Sequence, residues 1–148
     1  MENNLFANTD DYTFSFSDEV MVGTMQKLQS ALGDGDSPIK AYAANVLIGN
    51  EITQKVNDSV GVEFILRGYH CKKFKYKDSD RSAVYTVMFG TLNSNYCAFS
   101  TTSEKIYESI MHILYVYGDV TNWNGGIAVK IKANALENGK AYCLEIIG

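Results

Sequence analysis

Proline is almost missing from this chain of 148 residues. The single copy, Pro38, leaves every strand candidate after it free of a residue that cannot donate to a β-ladder. Cysteine is scarce as well. Cys71, Cys97 and Cys143 are odd in number, far apart and never in a Cys-x-x-Cys pair. That excludes the usual zinc spacings and a disulfide framework, and it fits a reducing cytoplasm. The two histidines, His70 and His112, complete no metal-ligand spacing. His70 adjoins Cys71, but neighbouring strand residues point to opposite faces and make poor co-ligands. No apolar run approaches a membrane span; the longest, around Ile110 to Tyr117, is interrupted by His112. Met1 to Tyr12 is polar and acidic, without the basic start and apolar core of a signal peptide. There is no phosphate loop of the Gly-x-x-x-x-Gly-Lys type and no recognisable nucleophile setting. Asp78 and Asp80, set in a turn between lysines, read as a solvated turn rather than a metal pair. The expectation is a cytoplasmic protein without enzymatic activity, cofactor, metal or membrane association.

What is present is aromatic. Ten tyrosines and seven phenylalanines favour pleated, half-buried surfaces. The balance of 46% apolar and 20% charged residues is that of one globular domain, residues 1–148. The net charge of −4 argues, as a sum, against a nucleic-acid partner. Its distribution argues the other way. From Arg67 to Arg81 six cations (Arg67, Lys72, Lys73, Lys75, Lys77, Arg81) face two acids, a surplus of four positive charges. The rest of the chain then carries eight surplus negative charges.

Residues 1–56 read as an N-terminal extension, partly helical. Residues 1–16 form a loose arm with Phe14 and Phe16 as anchors. Ser17-Asp18-Glu19 looks like a helix start, followed by Val20, Met21, Met25, Leu28 and Leu32 at roughly helical spacing. Gly33-Asp34-Gly35-Asp36 is a stop, and 38–56 is divided between helix and strand signals.

From 57 to 148 the pattern sharpens. Val62, Phe64 and Leu66 alternate with Glu63, Ile65 and Arg67. After a turn at 78–80, Tyr85, Val87 and Phe89 alternate with Val84, Thr86 and Met88; Tyr96 to Ser100 follows a turn at 92–95. The period then changes to helical. Thr101-x-x-Glu104 is a capping box, and Ile106, Ile110, Ile113, Leu114 and Tyr117 follow, with Gly118 as the C-terminal cap. Tyr107, Tyr115 and Tyr117 are expected to pack. Ile127, Val129 and Ile131 mark another strand, and Asn138-Gly139 turns it into a last one. The order β-β-β-α-β-β from residue 60 is that of a five-stranded antiparallel OB-like barrel, mainly β with a plugging helix.

The stretch Tyr69 to Lys77 interleaves rings and cations. Alternation sends Lys73, Lys75 and Lys77 to one face and Lys72, Phe74 and Tyr76 to the other. Single-strand binders need cations for phosphates and flat rings for bases, and this strand carries both. A barrel strand with core aromatics and edge-guarding lysines would read the same way. Lys130 and Lys132 repeat the basic theme. Trp123, in a Gly-rich loop, is either a stacking clamp or a lid on the core. Tyr96 and Phe99 point to opposite faces, one of them core. The candidate nucleic-acid contacts are therefore Arg67, Tyr69, Lys72, Lys73, Phe74, Lys75, Tyr76, Lys77, Arg81, Tyr96, Trp123, Lys130 and Lys132.

The blocks Tyr85-Thr86-Val87-Met88-Phe89-Gly90, Tyr96-Cys97-Ala98-Phe99-Ser100, Ile127-Ala128-Val129-Lys130-Ile131-Lys132 and Gly139-Lys140-x-Tyr142 resemble phage single-stranded DNA-binding proteins of the phi29-like podovirus type. The resemblance covers about residues 60–147 and implies an OB-fold protein that protects single-stranded DNA during replication, without sequence preference. It places aromatic and basic contacts on Lys73, Phe74, Lys75, Tyr76 and Tyr96. Replication proteins and further copies of the chain are compatible partners. Two alternatives stand beside it: single-stranded RNA binding, and a protein-interaction module on the same barrel that binds no nucleic acid.

Overall fold

The computed structural model describes residues 11–15, 21–32, 37–75, 82–137 and 139–148, with the backbone alone for 11–15, 21–30, 37, 74, 75 and 82. In chain order the elements are β1 (Asp11–Ser15), β2 (Met21–Leu32), α1 (Ser37–Ile48), β3 (Gln54–Lys55), β4 (Glu63–Lys75), β5 (Ser82–Leu92), β6 (Asn95–Thr101), α2 (Glu104–Tyr117), β7 (Ile127–Leu136) and β8 (Gly139–Ile146). From β4 onward the order is the expected β-β-β-α-β-β. The sheet is larger than five strands, however. All eight strands among the described residues join one strongly curled, half-barrel sheet, three of them supplied by the N-terminal segment.

The expected helix over 17–32 is the main correction. Residues 21–32 form β2, which pairs with β1 on one side and with β4 on the other. Its register against β4 slips between Lys27 and Gln29. A bulge of this kind moves the side-chain alternation by one residue. Met21, Met25, Leu28 and Leu32 fall four or three apart in sequence and imitate a helical stripe. The ladder offered by β4 decides the outcome against that local pattern.

The divided signals of 38–56 resolve into α1. Pro38 sits in its first turn, where a missing N–H costs nothing. Ile39, Ala43 and Val46 recur at helical spacing and are buried. The helix stops at Gly49, whose amide donates to the Asn45 carbonyl at 3.1 Å.

The spine of the sheet is β4. At 13 residues it spans about 40 Å at about 3.3 Å per residue. One edge pairs with β5 along its length. The other pairs first with β7 (Glu63 to Leu66) and then with β2 (Gly68 to Phe74). The change of partner coincides with a second register slip, between Leu66 and Gly68. Across from it, Gly90 lets the chains close in: a Cβ there would collide with the Ile65 carbonyl and lie 2.9 Å from the Phe64 ring. Bulge and glycine together allow the sheet to curl.

The curl encloses the larger core. Phe64, Leu66, Tyr69, Cys71, Met88, Phe99, Val129 and Ile131 line it, and Ile106, Ile110 and Ile113 of α2 fill it. A second, smaller core lies on the outer face, where α1 places Ala43 and Val46 against Val87, Phe89 and Ala98. Thus β5 is buried on both faces.

At its open side the half-barrel is sealed by α2. The Leu144 amide of β8 donates to Ser109 Oγ at 3.2 Å, and Ser103 Oγ donates to the Tyr142 carbonyl at 3.4 Å. Side chains of the helix thus take up backbone groups that an unpaired strand edge would expose. The capping box differs from expectation: Ser103 is the N-cap, and the Thr101 hydroxyl accepts from the Ser103 amide at 3.0 Å. Gly118 caps the other end as expected, its amide donating to the Leu114 carbonyl at 2.9 Å. Among the described residues no helix is long and apolar enough to cross a membrane.

Candidate nucleic-acid interface

Of the basic segment, Lys72, Lys73 and Lys75 fall on the last part of β4, paired with β5. Pairing continues from Tyr69 opposite Met88 to Lys75 opposite Ser82. Lys73 is exposed there, opposite Val84 on one side and Gln26 on the other. Phe74 and Lys75 continue the strand, and their side chains lie outside the described residues, as do Tyr76, Lys77 and Arg81 altogether.

Three of the expected contacts go elsewhere. Tyr69 is 2% exposed and belongs to the enclosed core, because the bulge before Gly68 puts it on the same face as Leu66. Trp123 is 4% exposed and packs 6.5 Å, centroid to centroid, from Tyr69. Its indole N–H donates to the Gly118 carbonyl at 2.8 Å, so it is the lid on the core and not a mobile clamp. A base needs an open ring face, and neither residue offers one. Lys72 is buried on the outer face between Tyr85 of β5 and Lys27 of β2. Burial lowers its ammonium pKa from 10.5 to about 8. A cation withdrawn from water in this way cannot reach a phosphate on the surface.

The remaining candidates are dispersed. Lys130 lies in register with Glu63 on β4 and Glu145 on β8, so two carboxylates share its position in the ladder. Such cross-strand opposites attract one another and offset the charge seen by a ligand. Lys132 is exposed, opposite Cys143. Arg67 sits at the bulge beside the loop 123–126. Of the pair on β6, Phe99 is the core residue and Tyr96 the exposed one, at 37%. The Tyr96 ring packs 5.4 Å from that of Tyr42 on α1. Burial, then the Cys97 and Glu51 charges, push the Tyr42 phenol up to about 12.

One surface was missed by sequence reasoning. Tyr115 is 89% exposed, its neighbours in sequence Val116 and Tyr117 are exposed as well, and Val116 and Tyr117 line a hollow with Ile146 at the end of β8. The helical stripe of α2 ends at Ile113, so Tyr115 and Tyr117 do not pack as expected. No family model matches the chain, and no match is found among curated proteins or solved structures.

Proposed function

We propose that the chain is a sequence-nonspecific single-stranded DNA-binding protein of the phage replication type, built on an OB-like barrel, and that DNA lies along the outer half of the β4–β5 hairpin. The observation that carries this reading is the separation of charge. Lys73 and Lys75 follow Cys71, the last β4 residue lining the enclosed core, in a stretch of sequence (67–81) with four surplus positive charges, while the rest of the chain carries a surplus of acids. Lys73, Lys75, Lys77 and Arg81 neutralise phosphates, and Phe74 and Tyr76 stack on bases. Tyr69, Lys72 and Trp123 have no part in it. The pairing of β4 with both β5 and β7 around an intervening helix supports the OB-like description. The sequence blocks that resemble those of phage single-strand binders favour DNA over RNA.

Binding of labelled oligo-dT, followed by anisotropy at low and moderate salt, tests the proposal. Four phosphate contacts to a single strand give a log–log salt slope of about −2.8, so affinity falls roughly 50-fold between about 50 and 200 mM salt. A protein-interaction module is the second reading. The exposed Tyr115, Val116 and Tyr117 favour it, since exposed apolar patches mark interaction surfaces. Folded protein that leaves oligo-dT unbound at low salt would select it.

A further inference from the structure

A separate small cavity lies where the β4 bulge meets the loop between α2 and β7. Arg67 forms one wall, and Thr121 with residues 123–126 forms the other. Its volume, about 100 Å³, suits one small ion rather than a base or sugar. Along the strand it is about 26 Å from Lys75, at about 3.3 Å per residue.

Several features converge on this point. Arg67 is the residue at which the β4–β5 register slips, and bulges re-aim side chains. The loop is held against that bulge by Gly126, where a Cβ would lie 2.8 Å from the Leu66 carbonyl and 3.0 Å from Arg67 Cγ. Arg67 Nε is buried. The loop also has an unusual backbone. Trp123 is near the right-handed region (φ −88°, ψ 2°), and Asn124 is left-handed (φ 51°). Successive residues of opposite hand turn their amides towards a common point, the concave nest that binds anions. Among the described residues, the Asn124 and Gly125 amides have no backbone acceptor, whereas the Gly126 amide donates to the Trp123 carbonyl at 3.1 Å. A non-glycine residue held left-handed costs on the order of 1 kcal/mol, and such strain clusters at ligand clamps. The walls contain one guanidinium, one hydroxyl and no acid; Asp119, the nearest acid in sequence, is not part of them.

We infer that this cavity binds a phosphate group, held by the Arg67 guanidinium and the Asn124 and Gly125 amides. Guanidinium fork and backbone N–H groups are the donors that tetrahedral oxyanions take elsewhere. The group comes from a free phosphate or from a nucleic-acid backbone. The site does not depend on the hairpin's binding DNA.

Titrating the wild-type protein with inorganic phosphate against chloride at matched ionic strength, with amide NMR as readout, tests the inference. The Asn124 and Gly125 amides should shift saturably, and Arg67→Gln should weaken the apparent affinity about tenfold while Lys132→Gln leaves it unchanged. Absence of a saturable shift at those two amides in the wild type overturns the inference, as does equal binding by folded Arg67→Gln protein. Oligo-dT that moves the same amides and competes with phosphate identifies a backbone phosphodiester as the source. Oligo-dT that leaves them unmoved, while phosphate shifts them, identifies the free ion, and both results support the site.

Discussion

Burial deprives the Lys72 ammonium of the water that normally stabilises it. Its pKa falls from 10.5 to about 8 for that reason. Between these two values the unfolded chain holds a proton that the folded chain has released, so raising the pH through the window favours folding. Burial works in the other direction on Cys71 and Cys97, whose thiols rise from 9.0 to about 11. There the unfolded chain loses protons first, and stability falls as pH climbs above about 9. The difference between wild type and Lys72→Met isolates the lysine. We expect the variant to be more stable by about 3 kcal/mol near pH 7, from the fall of 10.5 to about 8 at about 1.4 kcal/mol per pH unit. The gap should close towards pH 10.5. Chemical denaturation across that range checks it, and a constant gap would contradict the assignment. In sequence, Lys72 looked like the other lysines of its run. Alternation assigns it a face, but not that this face is covered. A hint was present in β5, where Val84 and Met88 on one face and Val87 and Phe89 on the other are all apolar. A strand apolar on both sides implies cover on both sides.

Elements were legible wherever one period ran without interruption. The alternation of β5, the two-residue turn before β6, and the 3.6-residue spacing of Ile106, Ile110 and Ile113 all appear where the sequence places them. β2 was not legible, because its bulge breaks the alternation and its partner β4 lies about 40 residues away in sequence. Nor could spacing reveal how the half-barrel closes, since that depends on the hydroxyls of Ser109 on α2 and of its N-cap Ser103 meeting β8. Ser109→Ala removes the acceptor of the Leu144 amide. Leaving a partly buried donor unpaired costs about 1–3 kcal/mol. The expected result is a lower thermal midpoint with unchanged far-ultraviolet circular dichroism, and faster hydrogen exchange at Leu144 than at its β7-paired neighbours. Unchanged exchange at Leu144 would show that water or another group seals that edge.

At the scale of the whole molecule, an acidic chain concentrates its positive charge on one hairpin, and the N-terminal segment enlarges the sheet beside it. Because β2 pairs with β4 as far as Phe74, it braces the strand that carries the lysines. The N-terminal segment thus belongs to the sheet that supports the proposed DNA-binding strand. The candidate site was half legible. The cations and their alternation were plain, whereas the inward turn of Tyr69 and Trp123 followed from a one-residue bulge and one indole hydrogen bond. The most direct test of the central claim is the salt dependence of oligo-dT affinity in the wild type and in Lys73→Ala/Lys75→Ala. Loss of two phosphate contacts should make the log–log slope shallower by about 1.4 and weaken binding at low salt, with the thermal midpoint unchanged. Equal slopes and affinities in two folded proteins would place the DNA elsewhere and contradict the account.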